Sequence, residues 1–387
     1  MKELQDIITA WKQLQPQQTA VLATLVKVEG SAYRCLGARM LITSNGQQVG
    51  TISGGCLESD LVERSQKVFK TGIPSLVKYD TTSEDDLIWG LGLGCQGVAY
   101  ILIELLTNAD TLSLIDKCIS IRKAGAVATV FKVEDTDLKK GDRLLLDPDG
   151  SIISQVSNSE LKDVVVRDLQ SVLQIKKSKS HSYQLSKGTV EIFLEIIQPP
   201  ISLVIFGAGF DVLPVVRFAK ELGWYVTVID PLARPHTKER FGECDRLILG
   251  SSDEVTSQIE FDLETVAVVM SHNYLYDLEF LQTLSTIPLK YLGILGPKKR
   301  TNKLLQDLKY EGNIIESEQL YSPVGLDIGA DTPEAIAISI IAEIQAVTQN
   351  RQGGFLKNRL APIHSQVSQY VRVASRGEQP FARTNNE

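Results

Sequence analysis

The feature that most constrains the fold of this chain is the run from Ser202 to Asp230. An apolar segment predicts a buried strand, and the turn Gly207-Ala208-Gly209 follows it directly. A helical pattern ends at Gly223, and a second apolar segment ends on Asp230, 23 residues after Gly207. Strand, glycine turn, helix, strand and acid in this spacing predict a Rossmann-like α/β unit, whose parallel strands bind ligands at their carboxyl ends.

Three residues of this run are candidate ligand contacts. Backbone N–H groups at a glycine turn and at the following helix attract phosphate, so we expect Gly207 and Gly209 to contact one. Asp230 stands where a carboxylate accepts a hydrogen bond from a ribose hydroxyl. Val212 occupies the position of the third small residue of the usual fingerprint, which argues against a standard NAD pose.

The alternation of short strands and helices continues beyond this unit. Thr265–Met270 predicts a strand that leads into Ser271-His272-Asn273. His272 is therefore a candidate polar contact or proton carrier at the ligand-binding edge, and the alternative is a histidine that only bonds a neighbouring loop. The cations of Lys298-Lys299-Arg300 follow another strand and can meet phosphate or remain in solvent. Thr332 suits the cap of a further helix that runs to about Val347.

The first half is organised around a second motif, the stretch Thr51–Glu58. Its Ser53-Gly54-Gly55 turn delivers Cys56 to the predicted first turn of a helix. The positive end of a helix dipole favours a thiolate, which is a nucleophile, a sulfur carrier and a soft-metal ligand. The alternative is a tight turn with a small buried cysteine, because free cysteine is among the most buried residue types.

Two further segments add candidate contacts. The glycine-rich loop Trp89–Gly97 presents Cys95, either as a second functional thiol or as a packed residue in a hairpin connection. The segment Glu29–Met40 carries Arg34 and Arg39, whose guanidinium groups suit an anionic ligand. Arg39 is equally compatible with a surface position on a strand.

The chain is expected to form two domains, an N-terminal mixed α/β (α+β) domain over residues 1–198 and a Rossmann-like domain over residues 199–374. Gln198-Pro199-Pro200 marks the boundary, because two prolines stop a strand and stiffen a short extended link. Lys176–Ser180 is expected to be a solvated connector, and the polar tail over residues 375–387 is expected to be disordered.

Composition excludes several classes of protein. The 387 residues carry a net charge of -7, which argues against general binding to nucleic acid or to anionic membranes. No apolar run reaches the roughly 20 residues that span a bilayer, and the first residues show no signal pattern, so we expect a cytoplasmic protein. The five cysteines include no Cys-x-x-Cys pair and are widely spaced, which predicts thiols and not disulfides or a structural zinc site.

Several motifs in a fixed order resemble one protein family. In the first half they are Gly30-Ser31-Ala32-Tyr33-Arg34-x-x-Gly37-Ala38-x-Met40, Ser53-Gly54-Gly55-Cys56-Leu57-Glu58 and Gly92-x-Gly94-Cys95. In the second half they are Phe206-Gly207-Ala208-Gly209, Leu222-Gly223-Trp224, Ser271-His272-Asn273, Leu292-Gly293-Ile294-Leu295-Gly296 and Pro323-Val324-Gly325-Leu326-Asp327-Ile328-Gly329-Ala330. Together they resemble the XdhC/CoxI family. One departure is Phe210-Asp211, where many members carry histidine, so no histidine contact is expected from that turn.

The resemblance implies an accessory protein of xanthine dehydrogenase and related molybdenum hydroxylases, and not a catalyst. Members bind molybdenum cofactor (molybdopterin), assist its sulfuration with a cysteine desulfurase and support its insertion into the apo-enzyme. A label of xanthine dehydrogenase would not imply that activity, because the chain has no iron–sulfur cysteine cluster and no length for the catalytic domains.

The resemblance also suggests roles for the candidate residues. Cys56 and Cys95 would ligate molybdenum, or Cys56 would instead carry persulfide sulfur. The glycine turn after Phe206 would take the cofactor's phosphate or a nucleotide extension, and Arg34 and Arg39 would hold further negative charge. Two alternatives stay open, an NAD(P)-dependent oxidoreductase that uses His272 as its acid–base group and a nucleotide-sensing regulator. A homodimer is compatible with each.

Overall fold

The computed structural model describes residues 1–30, 34–81, 97–106, 110–234, 236–250, 254–255, 257–262, 264–315, 318–360 and 371–373. The chain divides into two compact units, one built mainly from Glu3–Pro199 and the other mainly from Pro200–Asn358. Each unit is a separate assembly of helices and sheets. The predicted tail over residues 375–387 lies outside the described residues.

The N-terminal unit contains two sheets and four helices within the described ranges. Its helices are α1 (Lys2–Lys12), α2 (Glu58–Thr71), α3 (Asp110–Ile121) and α4 (Ser159–Ile175). The first sheet has the strand order β3-β2-β1-β5-β4 and comprises β1 (Ala20–Gly30), β2 (Arg39–Thr43), β3 (Gln48–Gly50), β4 (Ser75–Asp80) and β5 (Gly97–Leu105). The second has the order β17-β9-β10-β6-β7-β8 and comprises β6 (Gly125–Glu134), β7 (Arg143–Leu146), β8 (Ile152–Ser154), β9 (Lys179–Gln184), β10 (Thr189–Ile197) and β17 (Val371–Val373).

These two sheets pack face to face, and a helix covers the outer face of each. Val26 and Leu102 of the first sheet meet Phe131 and Phe193 of the second in one apolar cluster. Helix α2 packs on the other face of the first sheet, and α4 packs on the other face of the second. Neighbouring strands are antiparallel except β17 with β9, so this unit has the mixed α+β architecture that the sequence predicts.

The C-terminal unit is a parallel sheet between helices. Its strands are β11 (Ser202–Phe206), β12 (Tyr225–Asp230), β13 (Arg246–Leu249), β14 (Thr265–Val269), β15 (Tyr291–Ile294) and β16 (Leu320–Tyr321), in the order β13-β12-β11-β14-β15-β16. Its helices are α5 (Val212–Glu221), α6 (Thr237–Arg240), α7 (Tyr274–Leu284), α8 (Lys298–Tyr310) and α9 (Pro333–Thr348). Every neighbouring pair is parallel, which confirms the predicted Rossmann-like fold.

Helices cover both faces of this sheet, as the uniformly apolar strands require. Helices α5 and α9 share one core cluster with the strands, and α7 and α8 share the other. The chain order reverses between β11 and β14, whose carboxyl ends are adjacent because Phe206 pairs with Val269. A crevice opens at such a switch point, so the residues that follow these two strands form the natural ligand edge.

One local prediction is wrong, and one helix was not predicted. Lys176–Ser180 is not simply a connector, because Lys179 and Ser180 begin strand β9. Its alternate residues His181 and Tyr183 are buried, so the strand pairs with β10 despite its polar sequence. Lys298-Lys299-Arg300 forms the first turn of helix α8, which the sequence pattern did not indicate.

Candidate functional site

The predicted Ser-Gly-Gly turn is folded around a carboxylate of the chain itself. Glu58 Oε1 accepts hydrogen bonds from the backbone N–H groups of Ile52 (3.0 Å) and Ser53 (2.9 Å), with a longer one from Gly54 (3.3 Å). Glu58 Oε2 accepts from Ser53 Oγ (2.6 Å) and from the N–H groups of Gly55 (2.9 Å) and of Leu57 (3.0 Å). The turn is thus an anion-binding nest that an internal side chain already fills.

The two glycines are required by backbone conformation. Gly54 has φ +89° and Gly55 has φ +126°, and residues with a Cβ avoid this region. A Cβ added to Gly55 would meet no atom of the described residues within 4 Å.

The charge of Glu58 is strongly favoured in this nest. Burial by itself raises the pKa of the carboxyl, but hydrogen bonds from Ser53 and from the backbone N–H groups outweigh it and lower the pKa to about 2. Glu58 is almost fully buried and is the first residue of helix α2. Glu58 therefore stays ionised at neutral pH and holds residues 52–57 in one conformation.

Cys56 lies in this turn, two residues before the helix begins, and it is exposed as a free thiol. The alternative of a buried packing cysteine is therefore wrong. Arg34 lies close by in the chain's fold, where its Nη1 donates to Thr51 Oγ1 (2.9 Å) and to Glu3 Oε1 (3.0 Å). Cys95, the second predicted thiol, lies outside the described residues, so its role as a second metal ligand stays a prediction.

Arg39 takes a structural position. Its guanidinium forms a bidentate ion pair with Glu195, and its Nη1 also donates to the carbonyl of Gly37 (3.0 Å). Only 5% of Arg39 is exposed, and the pair joins β2 of the first sheet to β10 of the second. The predicted surface position is wrong, and this guanidinium is not accessible to an external anion.

In the C-terminal unit, the glycine turn after β11 is shaped by close backbone approach. Gly207 has φ +132°, and a Cβ there would lie 2.4 Å from the carbonyl oxygen of Met270. A Cβ on Gly209 would lie 2.4 Å from Asp211 Oδ1. Only glycine fits at the first position, which places the turn against the end of β14.

His272 and Asp211 form a pair at this edge. His272 Nε2 lies 2.7 Å from Asp211 Oδ2, and the histidine side chain is 59% exposed. The backbone of His272 has φ +59°, an uncommon conformation for a residue with a Cβ. A histidine therefore does stand beside the glycine turn, but it comes from the end of β14 and not from the turn itself.

Asp230 lies at the end of β12, as predicted, but it faces inward. Thr237 Oγ1 donates to its Oδ2 (2.6 Å), and the backbone N–H groups of Leu232 and Arg234 donate to its two oxygens. The guanidinium of Arg234 reaches both oxygens at 3.3 Å. Burial by itself raises the pKa of Asp230, but these hydrogen bonds outweigh it and keep the pKa below the usual range. The carboxylate is fully buried, so it does not offer an acceptor to a ribose in this conformation.

Comparison with known proteins identifies the family. Residues 13–80 match the family model described as XdhC and CoxI family, and residues 203–344 match the one described as XdhC Rossmann domain. A Bacillus subtilis protein whose name describes it as a probable xanthine dehydrogenase subunit is 34% identical over 331 residues, which cover 86% of this chain and 94% of that protein. The chain belongs to the XdhC and CoxI family. The resemblance drawn from its motifs is therefore confirmed.

Two further relatives of this XdhC-family chain are informative. The crystal structure of a xanthine dehydrogenase from Bacillus halodurans is 31% identical, has a TM-score of 0.73 and covers 92% of this chain and 98% of its own. An Escherichia coli protein named molybdenum cofactor insertion chaperone PaoD is 22% identical over 334 residues, which cover 86% of this chain and 85% of that protein. The first supports the whole two-unit fold.

Two residues were not singled out from the sequence, Glu58 in the Ser-Gly-Gly turn and Arg234 at the ligand edge after β12. Glu58 belongs to the quoted motif, and its place three residues after Gly55 is the signal for a nest anchor. Arg234 has no such signal, because its contact with Ala208 depends on how the segment after β12 folds.

Within the described ranges, no cluster of three or more His, Cys, Asp or Glu side chains could hold a metal. No helix in those ranges is long and apolar enough to cross a membrane.

Proposed function

We propose that the chain is an accessory protein that binds molybdenum cofactor and supports its insertion into a xanthine dehydrogenase-type molybdenum hydroxylase. The observation that carries the proposal is the exposed Cys56 thiol on a turn that Glu58 holds in place. The names of two relatives support it, since one is called a molybdenum cofactor insertion chaperone and the other a probable xanthine dehydrogenase subunit.

The turn suits the soft end of this cargo. A thiolate is the ligand that soft transition metals prefer among protein side chains. The N–H groups of the nest are already used by Glu58, so this turn offers sulfur and not a site for phosphate. Cys56 is exposed among the described residues, which suits the approach of a ligand to its thiol.

Cys56 can serve in one of two ways. It can ligate molybdenum directly, or it can receive the terminal sulfur of a cysteine desulfurase persulfide. In the second case its thiolate attacks that sulfur, the S–S bond of the desulfurase breaks, and the desulfurase thiolate leaves. Exposure suits both roles, and Cys95 would support the first one if it lies nearby.

A separate nucleotide such as NAD belongs at the other motif, which lies in the C-terminal unit. The Gly207–Gly209 turn and the start of helix α5 present backbone N–H groups at the ligand edge of a parallel sheet. His272 adds a ring nitrogen at the same edge. Carrier function needs binding without bond-making chemistry at this position.

The deciding experiment is cofactor retention. The chain is expressed in a host that makes the cofactor, purified without oxygen, and assayed for molybdenum and pterin per chain. We expect near-stoichiometric cofactor in the native chain and in Cys35→Ser, which replaces another exposed thiol, and a large loss in Cys56→Ser. Full retention in Cys56→Ser would remove Cys56 from the site. Absence of cofactor from the native chain, when a known carrier retains it, would overturn the carrier function.

One observation favours a second candidate, an NAD(P)-dependent oxidoreductase. The His272–Asp211 pair is a histidine held by a carboxylate, an arrangement that enzymes use for proton transfer. Addition of candidate substrates and NAD⁺ or NADP⁺ would then change the absorbance of the nicotinamide, and His272→Ala would abolish that change. An unchanged absorbance with every substrate class tested would refute the oxidoreductase and leave the carrier as the one remaining candidate.

A further inference from the structure

We propose that the crevice of the C-terminal unit selects a nucleotide with a phosphate on its ribose, and that Arg234 contacts this phosphate. The inference rests on the nucleotide site proposed above. It concerns the position at the end of β12, where a dinucleotide places the ribose of its adenosine half. The inference applies whether the bound nucleotide is a redox cofactor or part of a larger ligand.

The first observation is that the carboxylate of Asp230 is not available to a ribose. A free ribose is recognised through hydroxyl groups that donate to an exposed carboxylate at this position. Here both oxygens of Asp230 are buried and already accept from Thr237 Oγ1 and from the backbone N–H groups of Leu232 and Arg234. A ribose diol would have to break these bonds to reach the carboxylate, and a diol gains little from such an exchange.

The second step is the placement of Arg234. Its Nη2 donates to the carbonyl oxygen of Ala208, the middle residue of the glycine turn, at 3.2 Å. The same guanidinium contacts Asp230 at the end of the neighbouring strand, so it bridges β12 and the turn after β11. The side chain remains 43% exposed. A planar cation therefore stands at the surface where a ribose-binding site would present an anion.

A second cation strengthens this preference. Arg240 Nη2 lies 3.4 Å from Thr237 Oγ1, the hydroxyl that donates to Asp230. Its guanidinium also lies over the ring of Phe210, 4.8 Å from the centroid, and Phe210 is 75% exposed. Two guanidinium groups therefore stand around the single buried carboxylate of Asp230, and guanidinium groups donate strong charge-assisted hydrogen bonds to a phosphate monoester.

The test compares NADP⁺ with NAD⁺, since the two differ only by the phosphate on the adenosine ribose. Isothermal titration calorimetry on the purified full chain would measure both affinities at one fixed ionic strength. We expect NADP⁺ to bind about tenfold or more tightly than NAD⁺, as a charge-assisted contact to phosphate implies. Arg234→Gln is expected to remove most of this difference, because it mainly weakens NADP⁺.

The matched control is Arg217→Gln, which removes an exposed arginine from the middle of helix α5 and should leave the preference intact. Arg234→Gln is expected to fold, because Asp230 keeps the bonds from Thr237 Oγ1 and from two backbone N–H groups. If it does not fold, the comparison of NADP⁺ with NAD⁺ on the native chain alone decides.

Three results would overturn the inference. They are equal affinity for NAD⁺ and NADP⁺, no binding of either nucleotide, and an equal loss of preference in Arg217→Gln. Molybdenum content, measured on the same preparations, reports separately on the proposed carrier function. A chain that retains cofactor but shows no NADP⁺ preference would refute this inference and leave the carrier function standing.

Discussion

Replacement of Glu58 by glutamine tests the role of the nest around the exposed cysteine. Glutamine has nearly the same shape and keeps one acceptor oxygen, but it replaces the other with an amide that donates. That amide would face Ser53 Oγ and the N–H groups of Gly55 and Leu57, which are all donors in the native turn. We therefore expect Glu58→Gln to fold with a weakened turn.

The magnitude follows from the shifted pKa. The carboxyl titrates at about 2 in the folded chain against 4.5 for an unperturbed group. Since one pKa unit is worth about 1.4 kcal/mol, the ionised form contributes about 3 kcal/mol to the free energy of unfolding at neutral pH. A depressed carboxyl pKa gives stability above the unfolded value, and this stability is lost as the pH falls through the folded value. The native chain should lose it between pH 4.5 and about 2.

Urea denaturation of the native chain and Glu58→Gln at several pH values measures the effect. The variant should lose about 3 kcal/mol at neutral pH, and the difference from the native chain should shrink on acidification toward pH 2. Glu63→Gln, an exposed position on the same helix, should change the free energy of unfolding by less than about 0.5 kcal/mol. A Glu58→Gln loss as small as that of the control, or one independent of pH, would refute the reasoning.

Three other substitutions test separate parts of the fold. Arg39→Met should cost about 3–5 kcal/mol in urea denaturation because it leaves Glu195 charged and buried, and the double replacement of both residues by methionine should recover most of this loss. Gly207→Ala should prevent the C-terminal unit from folding, seen as loss of near-ultraviolet circular dichroism, because its Cβ would meet a backbone carbonyl. Gly354→Ala should be neutral, because its Cβ would have no atom of the described residues within 4 Å. Thr332→Ala should cost about 1 kcal/mol in the same denaturation assay, since the side chain caps helix α9 by accepting from Ala335 N–H.

The parts of the fold that the sequence predicts are those with strong local patterns. The parallel sheet follows from uniformly apolar strands and a glycine turn, and Thr332 caps its helix as expected. Strand β9 was not predicted because its buried residues are His181 and Tyr183, which alternate with polar neighbours and do not form an apolar pattern. The ion pair of Arg39 with Glu195 joins residues 156 positions apart, so no local pattern could indicate it.

The same distinction between local patterns and contacts made later in the chain applies to the candidate site. A spacing rule places Asp230 correctly at the end of β12, because that position depends only on the length of one strand–turn–helix–strand unit. The direction in which its carboxylate faces depends on Thr237, seven residues later, and on the path of the intervening segment. Once Thr237 and Arg234 take the carboxylate, the charge presented to a ligand changes from negative to positive. A motif can thus locate a binding edge correctly while the residues around it reverse the ligand chemistry that the motif suggests.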